Sequence, residues 1–260
     1  MFNIISNNTS AGIKKTEDAR QSPFSITFFF SPELASYRIQ NDKGSTVIED
    51  KNEIRKKEDH DLSSTAGILI DYNINKRWAL QSGLTYSNTI ILIKPKTIYA
   101  QPDNSGTIKY LYNTSSGYGF VLPSFINSPS IGDSLYAFTS THTLQYAGIP
   151  VVVKYNAGKG KLKFNLSMGF GMNILIKGRI ETSVEDGAHN EIESISTIHG
   201  LKSVYFSGQG GAGAEYDLNK KIALTFSPTA RFALNSINTK TSVKSYPVSI
   251  GFATGIKLKL

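Results

Sequence analysis

Residues 162–177, LKFNLSMGFGMNILIK, carry a large apolar side chain at every second position. Leucine, phenylalanine, methionine and isoleucine occupy the even-numbered positions, and the odd-numbered positions are mostly polar or small. Successive side chains of a β-strand project to opposite faces. This segment therefore predicts a strand with one apolar face and one polar face.

Other segments repeat this period of two, most clearly 222–235 and 248–260. In the last of these, Lys257 and Lys259 lie on the polar face. No segment places apolar residues at helical spacing over three turns with caps, so no helix is predicted. The remaining predicted strands are 23–38, 66–74, 78–87, 144–155 and 201–217.

Tight turns and long loops alternate along the chain. The tight turns, 73–76, 156–160 and 217–220, contain Asn, Asp and Gly, which suit left-handed backbone positions. The sequence therefore predicts an eight-stranded antiparallel up-and-down transmembrane β-barrel over 23–260, with four long loops on one rim and three tight turns on the other. Residues 1–22 are predicted to form a polar periplasmic tail or linker. The long loops are 40–63, 100–138, 181–199 and 236–244.

Composition excludes several classes of protein. The 260-residue chain has no cysteine, which rules out disulfides and thiolate chemistry. No apolar run is long enough for a transmembrane helix, whereas barrel strands have near-neutral hydropathy. The net charge is +8, but the basic residues are scattered, so nucleic-acid binding is not expected. Several of them lie in the tight turns, where they suit anionic lipid head groups.

The polar faces of the strands contain mainly Gly, Ala, Ser, Thr and Asn. Small residues suit the crowded interior of an eight-stranded barrel, and large apolar residues suit a lipid-facing exterior. A soluble exterior would carry more charge. We therefore predict a membrane barrel, with a soluble lipocalin-like barrel carrying an apolar ligand as the alternative. The membrane prediction requires four rings to point outward: Phe164, Phe170, Phe226 and Phe252.

Charged residues also fall on the polar faces. Charges in a narrow lumen are costly unless they are paired. We therefore expect an interior polar network that plugs the barrel, and the alternative is that some of these residues lie near a rim and are hydrated. The residues predicted to point inward are Asp71, Glu215 and Arg231, with Lys154, Lys163 and Lys177 as companions.

Two of the long loops differ in composition. Loop 40–63 has seven acidic and five basic residues and is predicted to be solvated. Loop 100–138 is rich in aromatic residues, which suit either a partner-contact surface or a self-packed cap over the barrel mouth. Its aromatic residues are Tyr110, Tyr112, Tyr118, Phe120, Phe125, Tyr136 and Phe138.

No catalytic, metal-binding or cofactor-binding residue is assigned. A lipid-modifying barrel hydrolase would need a Ser-His-acid set, drawn from His142 or His199 with Ser140 or Ser203 and Glu193, but no G-x-S-x-G motif is present. The four histidines, His60, His142, His189 and His199, are interpreted as solvated loop residues. The glycines at 208, 210, 211 and 213 indicate barrel curvature and not a phosphate loop, because no Lys-Ser/Thr follows them.

The strings GILIDYNINKRWALQSGLTYS (67–87), YAGIPVVVKYNAGKGKLKFNLSMGFGMNIL (146–175) and SIGFATGIKLKL (249–260) resemble the PorT-type outer-membrane β-barrel family of Bacteroidetes. The most specific part is Ile149-Pro150, followed by an apolar run that ends in Lys-Tyr. Family members often carry Glu before this pair, and here the residue is Gly148, so no carboxylate role is carried over. The chain also ends in Leu260 and not in an aromatic residue. The resemblance implies a barrel fold in the outer membrane.

The predicted function is therefore a structural, scaffold or envelope-assembly role for a non-enzymatic outer-membrane barrel. Its expected partners are outer-membrane lipids and other envelope proteins, contacted through loop 100–138 or the N-terminal tail. The first 22 residues lack the apolar core of a secretory signal. Since a spanning barrel must be exported, we expect that a leader has been removed.

Overall fold

The computed structural model describes residues 22–41, 51–158, 160–187, 189–239, 241 and 243–260. The predicted tail at 1–22 lies outside these ranges except for its last residue, as does part of loop 40–63. The described residues form one helix, α1 (Lys51–Lys57), and fourteen strands. These are β1 (Phe24–Asn41), β2 (Glu58–His60), β3 (Leu62–Asn73), β4 (Trp78–Ile93), β5 (Lys96–Pro102), β6 (Ile108–Asn113), β7 (Tyr118–Val121), β8 (Ser134–Ala137), β9 (Ser140–Ala157), β10 (Leu162–Glu185), β11 (Asn190–Ile195), β12 (Val204–Asp217), β13 (Ile222–Ala233) and β14 (Val243–Lys259).

Eight of the strands close into a ring in which each strand is antiparallel to both neighbours. The order around the ring is β1, β3, β4, β9, β10, β12, β13 and β14. The last strand returns to the first, with Ser25 opposite Lys259. The predicted all-β antiparallel barrel is confirmed. We call the end that carries the tight turns the turn rim and the opposite end the loop rim.

The tight turns are held by their own side chains. In the turn between β3 and β4, Asn75 Oδ1 accepts hydrogen bonds from the backbone N–H groups of Arg77 at 2.8 Å and Trp78 at 2.9 Å. Asn219 Oδ1 makes the same pair of bonds, both 2.8 Å, between β12 and β13. An Asn side chain that binds backbone two and three residues ahead stabilises a reversal of the chain.

Six strands and the helix lie in the long connections and were not predicted. These strands are three to seven residues long, so a period of two is hard to recognise in them. The prediction of no helix is wrong for α1, whose seven residues are too few for the three-turn pattern that was sought. The part of the chain that the structure describes contains no helix with the length and hydropathy of a membrane span.

The large apolar side chains of the ring point outward. Phe164, Phe170, Phe226 and Phe252 are 56%, 67%, 42% and 47% exposed, as the membrane prediction requires. Aromatic residues also meet on the outer surface near the turn rim, where the ring centroids of Phe24 and Tyr72 lie 5.2 Å apart and those of Trp78 and Tyr155 lie 5.0 Å apart. The outer surface is therefore apolar with an aromatic edge.

A β-bulge in β10 changes which side chains point inward. The register of β10 against β9 shifts between Leu175 and Lys177. Ile174 and Ile176 are exposed, but Ile180 is fully buried although its number has the same parity. An extra residue in one strand reverses the alternation beyond it. The prediction that Lys177 points into the barrel is therefore wrong, because this side chain is exposed.

Beyond the loop rim the chain builds a second β-structure, which we call the cap. It consists of β5–β8, β11 and the ends of β4 and β10, joined by backbone ladders. Tyr110 and Tyr112 are buried inside it, whereas Tyr136 is 44% exposed. Loop 100–138 thus contributes to a folded cap, one of its two predicted roles. The apolar core of the cap contains Ile93, Ile98, Ala100, Tyr110, Tyr112, Val121, Leu135, Ala137, Ile180, Val184 and Ile195.

The glycine-rich segment 208–213 lies inside β12, which confirms that it is a strand.

Elsewhere in the ring, glycine permits close approach between strands. A Cβ atom on Gly169 would lie 2.1 Å from the Val151 carbonyl oxygen and 2.6 Å from the Val152 Cα atom. Both are backbone atoms of the paired strand β9 and have little freedom to move.

We therefore expect Gly169→Ala to lower the free energy of unfolding by about 1–3 kcal/mol, the usual range for overpacking. Gly210→Ala is the matched control, since its Cβ would be 3.4 Å from the nearest heavy atom, the Ser167 carbonyl oxygen. Urea unfolding in lipid vesicles measures both. Equal losses for the two variants would show that strand proximity is not the cause.

Candidate functional site

Charged side chains cross the lumen near the turn rim. The Asp71 side chain is 1% exposed, with Oδ1 3.6 Å from Lys154 Nζ and Oδ2 3.3 Å from Lys257 Nζ. Gln81 Nε2 donates a hydrogen bond to Asp71 Oδ1 at 2.7 Å, and Lys257 Nζ lies 2.9 Å from Glu215 Oε2. These five residues, which we call the inner network, come from five strands. They therefore tie opposite walls of the ring together.

The network continues to the turn rim, where water reaches it. Lys259 Nζ is 3.3 Å from Glu215 Oε1 and also pairs with Asp217. Lys163 Nζ lies 2.8 Å from Asp217 Oδ2, and its side chain is 35% exposed. Lys163 therefore fits the alternative of a hydrated residue near a rim.

A separate ion pair lies further from the turn rim. Arg231 Nη2 is 2.8 Å from Glu33 Oε2 and 3.2 Å from Thr65 Oγ1. The side chains of Arg231 and Glu33 are 18% and 9% exposed. A guanidinium group that is both paired and hydrogen-bonded offsets part of the cost of its burial.

The predicted interior charges are confirmed for Asp71, Glu215, Arg231 and Lys154. Sequence reasoning did not include Lys257 and Lys259 in the network, although both stood on the polar face of the last strand. It also missed Glu33, because the sequence leaves the register of the first predicted strand, 23–38, unclear around Pro32. The structure adds these three residues to the interior charges: Glu33, Lys257 and Lys259.

A cavity of about 140 Å³ lies in the lumen between the inner network and the Arg231–Glu33 pair. Its lining includes Thr27, Asn165 and Thr225 beside the charged groups. The Thr27 hydroxyl is buried and has no hydrogen-bond partner in the described chain. A carrier of apolar molecules needs an apolar interior. The lumen has a mixed lining, which also includes Phe29 and Leu69, and ion pairs at both ends of this small cavity leave little room for an apolar ligand.

The turn 114–117, between β6 and β7, lies at the loop rim beside the start of β14. Ser115 and Ser116 within it are fully buried. The Ser115 N–H donates to Glu58 Oε1 at 2.7 Å, and its carbonyl oxygen accepts from Asn238 Nδ2 at 2.9 Å and from the Ser245 hydroxyl. This turn, which we call the cap turn, is thus fixed by partners from three other parts of the chain.

Ser140, a candidate nucleophile of the hydrolase alternative, is held by neighbours in the cap. Its Oγ accepts a hydrogen bond from Tyr112 Oη at 2.7 Å, lies 2.7 Å from Thr182 Oγ1, and donates to the Phe138 carbonyl oxygen at 2.9 Å. Burial raises the pKa of Tyr112 to about 12, so the phenol keeps the proton that it donates. Both ring nitrogens of His142 lack a hydrogen-bond partner among the described residues, so His142 and Ser140 are not hydrogen-bonded to each other.

The other histidines lie in the cap region. His199 stacks on Tyr118 with 5.3 Å between ring centroids, and its Nδ1 is 3.4 Å from Asn104 Nδ2. His189 is exposed and stacks on Phe125 at 5.4 Å. The interpretation as a solvated loop residue is wrong for His142, which is 1% exposed because β9 begins at Ser140, four residues before the predicted strand. The side chain of His60 lies outside the described residues.

An inward polar network, an outward apolar surface and alternating turns and loops define the chain as a barrel with a lipid-facing exterior. A family model described as "Outer membrane protein beta-barrel domain" matches residues 16–239. The chain belongs to this family. Its location is the bacterial outer membrane, and the soluble alternative is wrong. In outer membrane β-barrels the tight turns face the periplasm, so the turn rim is periplasmic and the cap is extracellular.

Solved structures of other outer membrane barrels are similar to this chain. Neisserial surface protein A (NspA) is 14% identical over 92% of this chain and 98% of that one, with a TM-score of 0.43. OprG from Pseudomonas aeruginosa is 11% identical over 92% and 97%, with a TM-score of 0.36. Ail, the attachment invasion locus protein of Yersinia pestis, is 9% identical over 90% and 98%, with a TM-score of 0.33. No curated protein matches the chain in sequence.

Proposed function

We propose that this outer membrane β-barrel is a non-catalytic, non-conducting scaffold that holds a folded cap outside the cell. In this proposal the eight-stranded ring is the membrane-spanning unit, and the other six strands belong to the extracellular connections. The observation that supports the proposal is that buried, mutually bonded groups lie toward both ends of the ring, the inner network near the turn rim and the cap turn at the loop rim.

In both the inner network and the cap turn, the polar groups are paired with one another. The inner network contains two lysines and two carboxylates at 2.9–3.6 Å, so these four charges compensate one another. The cap turn is bonded through its backbone, and opening it would leave the buried Ser115 carbonyl and N–H groups without partners. Both features favour a lumen that stays closed.

We expect single barrels reconstituted in a planar lipid bilayer to pass no steady ion current at neutral pH. A porin measured in the same bilayer is the positive control, and heat-modifiable migration on gels verifies that the barrel is folded and inserted. Steady ohmic current that scales with salt concentration would contradict the closed lumen.

Within the family, we infer a PorT-type member with an envelope-assembly role, supported by the strings at 67–87, 146–175 and 249–260. Its partners would be outer-membrane lipids along the ring and other envelope proteins at the cap or the N-terminal tail. Because Tyr110 and Tyr112 are buried, a protein partner would meet the outer face of the cap, where Tyr136 is exposed.

Photocrosslinking from position 136 in intact cells tests this contact, and the absence of any crosslinked protein would count against it.

A further inference from the structure

The cap has a cleft on its outer surface where β7 and β11 meet. β7 pairs with β6 and β11 pairs with β10, and beside them one isolated bridge joins Tyr118 to His199. Inside the cap the two walls touch, since a Cβ atom on Gly119 would lie 2.3 Å from Ile195 Cγ2. On the outside they leave a cleft of about 390 Å³, whose lining includes Asn104, Phe120, Ser196 and His199.

One wall of the cleft is a rigid turn, 103–107, between β5 and β6. Asp103 Oδ1 accepts hydrogen bonds from the backbone N–H groups of Ser105 at 2.8 Å and Thr107 at 3.0 Å. Asp103 Oδ2 lies 2.8 Å from Lys109 Nζ. Asp103 and Lys109, both in the lining of the cleft, therefore neutralise each other. The exposed Asn104 side chain is held above the cleft by this turn.

The floor of the cleft is aromatic. His199 stacks on Tyr118, and Phe120 meets His199 edge-on with 6.0 Å between ring centroids and 65° between ring planes. Phe120 and Tyr118 are also perpendicular, at 5.9 Å. Of these three rings, Phe120 and His199 line the cleft. Because they contact each other and both contact Tyr118, they are fixed before any ligand arrives, which lowers the entropy cost of binding.

The opposite wall carries hydroxyl groups on exposed residues, Ser194, Ser196 and Thr197. Ser194 Oγ accepts a hydrogen bond from Arg179 Nε at 2.7 Å, and the Arg179 guanidinium is paired with Glu181 at 3.1 Å. A pyranose sugar has a C–H face that packs on aromatic rings and a rim of hydroxyl groups that bond to amides and hydroxyls. The cleft offers both surfaces, and its one anion and one cation are paired with each other. We propose that this cleft binds a neutral saccharide, such as the terminal sugar of a glycan, outside the cell.

Saturation-transfer difference NMR tests the proposal on the full-length barrel in lauryldimethylamine oxide, a detergent without a sugar head group. The probes are lactose, maltotriose and mannotriose, with 3′-sialyllactose and lactose 3′-sulfate as charged comparators. We expect transfer to the ring C–H protons of at least one neutral sugar and weaker transfer to the charged sugars. Absence of transfer to all three neutral sugars, or preference for a charged one, overturns the proposal.

Three variants test whether the sugar binds in the cleft. Phe120→Ala removes part of the floor and is expected to weaken binding by roughly five- to tenfold. Asn104→Ala changes an exposed side chain of the wall and is expected to weaken binding while leaving the thermal midpoint unchanged. Tyr136→Ala is the matched control, since this exposed aromatic residue lies on the cap but not in the lining of the cleft. Binding that survives both Phe120→Ala and Asn104→Ala would place the sugar elsewhere and refute the assignment.

Discussion

Replacing Asp71 with alanine is expected to lower the free energy of unfolding by about 3–5 kcal/mol, the usual cost of removing one partner of a buried ion pair. The Asp71 carboxylate is the shared partner of Lys154 and Lys257, whose side chains are only 12% and 8% exposed. Without it, Lys257 keeps Glu215, but Lys154 loses the carboxylate that it contacts. The expected decrease in the free energy of unfolding comes from the uncompensated charge of the buried lysine and not from the loss of a single hydrogen bond.

The matched control is Asp59→Ala, which removes the exposed Lys94–Asp59 pair. That pair has a similar N–O distance, 3.0 Å, but its side chains are 55% and 60% exposed. Exposed ion pairs contribute about 0–1 kcal/mol, so this variant is expected to unfold almost as the unmodified protein does. Urea titration in lipid vesicles, followed by tryptophan fluorescence from Trp78, measures both. A loss below about 1 kcal/mol for Asp71→Ala would show that the inner network is hydrated and weak.

A second test of the inner network removes one negative and one positive charge in the same variant. In Asp71→Asn/Lys154→Gln, both partners are neutral and close in size to the residues that they replace. If the cost in Asp71→Ala arises from the unpaired lysine, the double variant is expected to recover most of the lost stability. A double variant that is as unstable as Asp71→Ala would assign the loss to packing and not to charge.

The sequence predicted the ring better than the cap, for a physical reason. A strand that separates a polar lumen from lipid must alternate between apolar and polar side chains, as 162–174 does, so its pattern is long and clear. The strands of the cap have an apolar core on one side and water on the other, and they are at most seven residues long outside the ring. The sequence does not distinguish the buried Tyr110 and Tyr112 from the exposed Tyr136.

The sequence predicted that charged side chains line the lumen, but it identified only some of the residues that do so. Parity placed Asp71 and Glu215 inside correctly, because no bulge intervenes between these residues and the turns. It failed for Lys177, which follows the register shift at Leu175. The pairing of Lys257 with Asp71 joins the last strand to β3, two strands away in the ring, and alternation within one strand does not specify such a contact. The cleft on the cap was likewise not predicted, since it joins distant segments, as in the Asn104–His199 contact, whose residues are 95 positions apart in the chain.

The outward face of β10 gives the second large prediction. Met168 is 76% exposed and lies near the middle of the part of β10 between the periplasmic turn and the bulge at Leu175. Leu166 and Phe170, 62% and 67% exposed, flank it on the same face. In the outer membrane this face meets hydrocarbon. A cation there must either lose its hydration or draw water and head groups into the bilayer.

Met168→Arg is therefore expected to lower the free energy of unfolding by about 2–4 kcal/mol in lipid vesicles, the cost measured for basic residues at the midplane of barrels. Ile192→Arg is the matched control, because Ile192 is equally apolar and 82% exposed but lies on β11 in the cap. In water that substitution is expected to change stability by less than about 0.5 kcal/mol. The two side chains have similar exposed fractions, so the difference between the variants measures the surrounding solvent and not burial within the protein. If Met168→Arg were as well tolerated as Ile192→Arg, the midplane of the bilayer would not lie at Met168, and the position of the ring in the membrane would have to be reassigned.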